Sequence, residues 1–176
     1  MSVLIAQFID HVAATANVQQ FKKGVELTSI GKIEQSIYFI RSGAVRAYFT
    51  EDGTEHTVRL GYTGNIITSL DSFLSGKSSE IAIETIRASE IQVFSKGEFL
   101  EFVHTSTAMQ LAYTQLLESL IQQQLAREID ILISSPIERL KRVLQRSPML
   151  FQEIPLKYIA AYLRMTPETL SRIRKS

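Results

Sequence analysis

Cysteine is absent from all 176 residues. That excludes structural disulfides, a thiol nucleophile and a cysteine-ligated iron–sulfur cluster. No apolar run approaches the roughly 20 residues that a membrane span needs. A basic leader is lacking as well. The N-terminus, MSVLIAQFIDHVAATANV, carries Asp10 and reads as an amphipathic helix rather than a signal peptide. A cytoplasmic protein with no membrane partner is expected. Histidine is scarce: His11, His56 and His104 fall in different blocks, without metal-ligand spacing. A metal-dependent jelly-roll enzyme needs clustered histidines, and His56 stands alone. No P-loop, nucleophile elbow or paired-carboxylate motif occurs. Neither an enzyme, a metal site nor a cofactor is expected.

What is present starts with a charge asymmetry. The net charge is only +1. From Pro136 onward, however, nine Lys/Arg face three acids, which leaves +6 on that segment and −5 on residues 1–135. A basic end on an acidic body is the electrostatic footprint of nucleic-acid binding. The same end carries a pattern, PLKYIAAYLRMTPETLSRIRKS, from Pro155 to Ser176. Ile159, Ala160 and Leu163 give a short apolar face, with Ala160 small where two helices must cross. Leu163, Arg164 and Met165 form the turn. Thr166 suits the N-cap and Pro167 the first helical position. Leu170 and Ile173 point inward at helical spacing. Thr166, Glu168, Thr169, Ser171, Arg172, Arg174 and Lys175 are left outside, a set suited to a major groove. An ordinary helical hairpin with a solvated basic face is the alternative.

Three blocks lie along the chain. Residues 3–16 read as a helix with Leu4, Phe8, Ile9 and Val12 on one face. From Val18 to about Phe102, short strand-like runs alternate with turn signals: SIYFI, AVRAYFT, EHTVRLGY, IAIETIRA and EIQVFS. Asp52-Gly53 between two such runs is a hairpin signal. Every glycine lies between positions 24 and 97, at the spacing of a barrel or jelly roll. From Thr107 to Ile133 there is neither Gly nor Pro. Leu117, Ile121, Leu125 and Ile129 make a stripe at spacing four, with Leu116, Leu120 and Leu132 alongside. This predicts a helix of roughly 40 Å, lying partly on the barrel and partly on a second copy of itself. Ser135, Pro136 and Glu138 then predict an N-cap, a first helical position and a capping-box partner. The domain reading is 1–106, 107–134 and 135–176.

This order of elements resembles the catabolite-activator/FNR (Crp/Fnr) family of bacterial transcription regulators. The residues that carry the resemblance are Phe21-Lys22-Lys23-Gly24, Tyr38 through Arg46, Gly61-Tyr62-Thr63-Gly64-Asn65, and Ile159-Ala160 through Leu170-Ser171-Arg172. The resemblance implies an α+β fold. A cyclic-nucleotide-binding-domain-like β-roll (double-stranded jelly roll) would be an effector-sensing domain at 1–106. A dimerisation helix would follow at 107–134, and a helix-turn-helix DNA-binding domain at 135–176. It further implies a homodimer on a palindromic double-stranded DNA operator, with Leu117, Ile121 and Leu125 at the seam and RNA polymerase as a further partner. In the family the arginine matching Arg172 reads a base edge. The family's usual turn glycine is replaced here by Arg164, which is expected to be left-handed at a cost of ~1 kcal/mol. Many members continue for another turn or a wing, and contacts from such an extension are expected to be missing.

At the effector site the sequence departs from that family. Cyclic-AMP-binding members use a Gly-Glu-Leu step and a later arginine, the Glu holding the ribose and the Arg the phosphate. Aligned without a gap, Thr68 stands at the Gly position, Ser69 at the Glu, Leu70 at the Leu and Ser79 at the Arg, with Glu80 beside it. Loss of the guanidinium removes a charge-assisted contact to the phosphate, so cyclic AMP is not expected to bind. Lys77 is the nearby cation that could substitute as a point charge. The hydroxyls of Thr68, Ser69, Ser72, Ser75, Ser78 and Ser79, with Asp71, could line a pocket for an unidentified small-molecule effector. Alternatively they could satisfy one another and bind nothing. Gln122, Gln123 and Gln124 on the long helix lie where family members contact the effector base; the alternative is that they are solvated or at a dimer seam. The competing reading of the whole chain is a β-roll sensing or interaction module whose C-terminal helices do not bind DNA.

Overall fold

The computed structural model describes residues 3–12 and 17–175. The first helix, α1, runs Val3–His11. Its Leu4, Ile5 and Phe8 are buried, and Val12 follows them into the same core. The final residues of the expected helix, 13–16, lie outside the described residues.

Eight strands follow, all paired antiparallel in two four-stranded sheets. One sheet orders β1 (Asn17–Phe21), β8 (Ser89–Ser95), β3 (Ser36–Ser42) and β6 (Ile66–Ile67). The other orders β2 (Glu26–Thr28), β7 (Ala82–Thr85), β4 (Ala44–Glu51) and β5 (Thr54–Tyr62). Their inner faces meet on Tyr38, Ile40, Val45, Ala47, Ile67 and Ile83. The β4–β5 hairpin turns on Asp52 and Gly53, at φ 48° and 76°. Both residues are left-handed, the pattern of a type I′ turn, whose twist matches the flanking strands. Strand β4 departs from simple alternation: Ala44 through Tyr48 are all buried. Val45 and Ala47 face the roll, whereas Ala44 belongs to the core of the C-terminal helices.

Helix α2 (Leu70–Ser75) interrupts the strand block, and a second helix, α3 (Lys96–His104), follows its last strand, β8. The second replaces β-structure expected up to about Phe102. A complete capping box starts it: Glu98 N–H donates to Ser95 Oγ at 3.1 Å, and Ser95 N–H donates to the Glu98 carboxylate at 2.9 Å. At Ser135 only half of the expected box forms. Ser135 Oγ accepts from Glu138 N–H at 3.4 Å, while the Glu138 carboxylate turns to Lys141 at 3.0 Å.

The long helix α4 spans Thr107–Leu132, capped by Ser106. Its first half packs on α1 and α3 through Met109, Ala112, Tyr113 and Leu116. Further along, Ile121, Leu125, Ile129 and Leu132 are 61%, 54%, 50% and 76% exposed. Leu117 is half-buried. Four helices complete the chain: α5 (Pro136–Arg146), α6 (Leu150–Glu153), α7 (Leu156–Tyr162) and α8 (Pro167–Lys175). Their core of Leu140, Val143, Leu150, Ile159, Leu163 and Leu170 is continuous with Ala44 and Ile86 of the β-roll.

Gly43 joins β3 to β4 at φ +93°, and a Cβ there would stand 2.3 Å from Ser89 Oγ and 2.5 Å from the Ala88 carbonyl. Gly76, the cap of α2, is also left-handed (φ +71°) but opens on space. Gly43→Ala is therefore expected to cost about 3 kcal/mol or more, and Gly76→Ala about 1 kcal/mol. Urea unfolding of both variants checks this, and equal losses would contradict the packing argument.

Candidate functional site

The α7–α8 pair is built as its sequence requires. Ile159, Ala160 and Leu163 are buried to 1% exposure or less, and Leu170 is fully buried against them. Arg164 in the turn has φ 52°, the left-handed conformation the missing glycine would have taken freely. Three hydrogen bonds hold it there: Leu163 N–H to Ile159 O, Arg164 N–H to Ala161 O and Met165 N–H to Ala160 O, at 2.9–3.1 Å. Thr166 Oγ1 accepts from Thr169 N–H at 3.2 Å, which caps α8 and occupies that hydroxyl.

Glu168 and Arg172, four residues apart, lie on one exposed helix face with half-buried Thr169 between them. The backbone N–H of Glu168 and the Thr166 hydroxyl hold the Glu168 carboxyl below its usual range. Lys175 is exposed near the helix end. Arg174 leans away, its guanidinium 5.5 Å from the Phe151 ring, and Ser171 is half-buried.

The hydroxyl-rich segment folds onto itself. Ser69, Ser72 and Ser79 are all buried. The Ser69 and Ser79 hydroxyls stand 2.5 Å apart, and Ser69 also donates to Asp71 at 2.5 Å. Ser79 Oγ accepts from Ile81 N–H, while Ser72 donates to Lys77 O and Thr68 to Ser36 O. Glu34 N–H donates to Ser72 at 2.8 Å, tying the segment to the roll. Buried Glu34 in turn accepts from Thr28, Gln35 N–H and Ser36 N–H. Ser78 bridges to Ile33 and Leu70 is half-buried at the head of α2. Thus the structure groups Thr68, Ser69, Leu70, Ser78 and Ser79 in one segment whose buried hydroxyls are spent on one another, on Asp71 and on backbone groups.

Gln123 and Gln124 are elsewhere. They line a 590 Å³ cavity between β5, β6, α4 and the C-terminal helices, and none of those five residues borders it. Arg59 on β5 donates to Gln123 Oε1 at 2.9 Å. One turn along α4, Arg127 lies 4.0 Å from the centre of the Tyr162 ring, and its buried Nη1 has no hydrogen-bond partner. Burial pushes both guanidinium groups below the ordinary arginine range. Sequence reasoning missed both arginines, because 67 intervening residues separate them. A second cavity of 420 Å³ lies beside Phe49, His56, Ala161 and Arg164.

Burial raises the Asp71 pKa. The Glu80 N–H, the Ser69 hydroxyl and the Ser72 N–H outweigh that effect and leave the carboxyl below its usual value. A depressed carboxylate pKa stabilises the fold fully above the unfolded value near ~3.9, and that stability is lost as pH falls through the folded pKa. Asp71→Asn is therefore expected to lower the melting temperature at neutral pH and to converge on wild type near pH ~2. Melts at the two pH values check it, and a constant difference would contradict it.

The sequence profile of the cyclic nucleotide-binding domain matches residues 18–106. No curated protein sequence gives a significant match. Among solved structures, FixK2 from Bradyrhizobium japonicum superposes with a TM-score of 0.77 at 18% identity, over 91% of this chain and 83% of that one. A CooA mutant from Carboxydothermus hydrogenoformans gives 0.71 at 19% identity, over 94% and 77%. The c-di-GMP-responsive global regulator CLP from Xanthomonas campestris gives 0.67 at 15%, over 97% and 90%. The chain belongs to the cyclic nucleotide-binding domain family and has the fold of the Crp/Fnr transcription regulators.

Proposed function

We propose that this protein is a cytoplasmic, homodimeric, DNA-binding transcription regulator of the Crp/Fnr type whose β-roll takes no cyclic nucleotide. The observation that carries the reading is the exposed Glu168/Thr169/Arg172 face of α8, set on a basic end of the chain. Such a face suits the major groove: Arg172 can reach a guanine edge bidentately and Glu168 can accept from a cytosine amino group. Thr169 and Ser171 suit phosphates or thymine methyls, Thr166 through its methyl a thymine methyl, and Arg174 and Lys175 the backbone. Residues 1–106 act as the sensing domain, 107–134 as the dimerisation helix and 135–176 as the DNA-binding domain. The occupant of the exposed α4 stripe is a second copy of α4. Its Ile121, Leu125, Ile129 and Leu132 recur at helical spacing on one face, and apolar rows of that kind pack against their symmetry mates.

Arg172→Ala is expected to weaken operator binding by ~1–3 kcal/mol per half-site and to relax sequence preference there, whereas Lys175→Ala weakens all sequences alike and flattens the salt dependence. Titrations on a selected operator and on scrambled duplex separate the two roles. Unchanged discrimination in Arg172→Ala would exclude α8 as the reader and favour the interaction-module reading.

Light scattering should give twice the 19.9 kDa chain mass for wild type. Ile121→Glu should give the single-chain mass, because each carboxylate would be buried opposite its mate. A wild-type monomer at micromolar concentration would refute the dimer.

Calorimetric titration with cyclic AMP or cyclic GMP should show no binding below about 100 μM, since the positions for the ribose and phosphate partners hold Ser69 and Ser79, already bonded to one another. A saturable response would point to Lys77 as the phosphate partner.

A further inference from the structure

The cavity between β5, β6, α4 and the C-terminal helices combines two cations, neither in an ion pair with a carboxylate among the described residues, with an apolar wall. Among the described residues, the carboxylates in ion pairs are committed elsewhere. Glu55 and Glu84 hold Arg46, Glu51 approaches His56, Glu138 holds Lys141, and Asp130 holds Arg142 and Arg146. None of them pairs with Arg59 or Arg127. Arg59 meets the neutral Gln123 amide, and Arg127 lies against the Tyr162 ring. A guanidinium is always charged and carries five N–H donors that match planar oxyanions two at a time.

The cavity is also directional. Along α4, Leu116 and Leu120 lie on its wall before Gln123 and Arg127. At 1.5 Å of rise per residue, Leu116 and Arg127 are about 16 Å apart along the axis. Ile5 of α1 and Ile66 of β6 pack in one cluster with Leu116 and so join the apolar end, and Tyr162 of α7 joins the cationic end. Arg59 is placed at the cationic end by its bond to Gln123. The volume of 590 Å³ falls in the range of small-molecule sites.

We propose that this cavity binds a small amphiphilic oxyanion, a carboxylate or phosphate monoester carried on an apolar body, with Arg59 and Arg127 on the headgroup and Ile5, Ile66, Leu116 and Leu120 around the body. The site is separate from the hydroxyl segment between β6 and β7 and does not depend on DNA binding. Its walls come from the β-roll, α4 and the C-terminal helices, so a ligand there would touch all three. Desolvation of both guanidinium groups agrees with this, because an anion would restore the charged forms that burial disfavours.

Calorimetry on the full chain tests the site with octanoate, octyl phosphate and octanamide. One or both anions should bind at least about tenfold more tightly than the amide, the tighter of the two identifying the headgroup. Arg59→Met should lower anion affinity about tenfold or more, and Arg41→Met, an exposed arginine outside the cavity, should leave it unchanged. Gln123→Glu, at an exposed helix position, keeps the test sharp if Arg59→Met folds poorly. It supplies Arg59 with a built-in carboxylate, so it should raise the unliganded melting temperature and suppress anion binding. Equal binding of anions and amide, no binding of either anion below about 10 mM, or undiminished anion binding in Gln123→Glu would each overturn the proposal.

Discussion

The arrangement of this molecule depends on one buried carboxylate. Asp130, near the end of α4, is fully buried and accepts from Arg142 Nε at 2.8 Å and from the Arg146 guanidinium. Both arginines belong to α5, so the pair fixes the start of the C-terminal helices against the end of the long helix. A buried charge held by two guanidinium groups is not a large net source of stability, but removing one partner of such a group typically costs ~3–5 kcal/mol. Its value here is positional. Once α5 is set, the shared core of Leu140, Val143, Leu150 and Leu163 places α7 and α8.

The β-roll makes the second attachment. Arg46 on β4 bonds Glu84 at 2.8 Å and also Glu55, and its guanidinium lies 4.2 Å from the Tyr48 ring and 5.2 Å from the Tyr158 ring of α7. Opposite charges on three adjacent strands hold the sheet and present one flat cation to the helical unit. Together with Ala44 and Ile86 in the common core, this explains why β4 is buried on both faces. The Arg59/Arg127 cavity is walled by the β-roll, α4 and the C-terminal helices, with Arg146 of the first attachment on its lining.

Local signals in the chain were the easiest to read. The Asp52-Gly53 turn, the extent of α4 and the α7–α8 pair each follow from neighbouring residues: a left-handed dipeptide, an uninterrupted helical run, and a cap followed by proline. The left-handed Arg164 was legible from the family resemblance, which puts a glycine at that turn position. Helix α3 was not, because its Ser95–Glu98 box directly follows β8 and its Phe99 and Val103 read equally well as strand residues. The hydroxyl-rich segment showed its composition but not its wiring, since the bonds of Ser72 to Glu34 and of Thr68 to Ser36 join residues more than thirty positions apart. The pairing of Arg59 with Gln123 and the stacking of Arg127 on Tyr162 are likewise products of the fold.

The central claim is that two copies of this chain read duplex DNA through α8. Selection of bound fragments from random duplex DNA, followed by sequencing, tests it most directly. The account predicts enrichment of a pseudo-palindrome whose half-sites are centred about one helical turn apart, ~10 base pairs or a multiple of it, as a two-fold pair of recognition helices requires. Recovery of no sequence above the input distribution, or of a single asymmetric half-site, would contradict it.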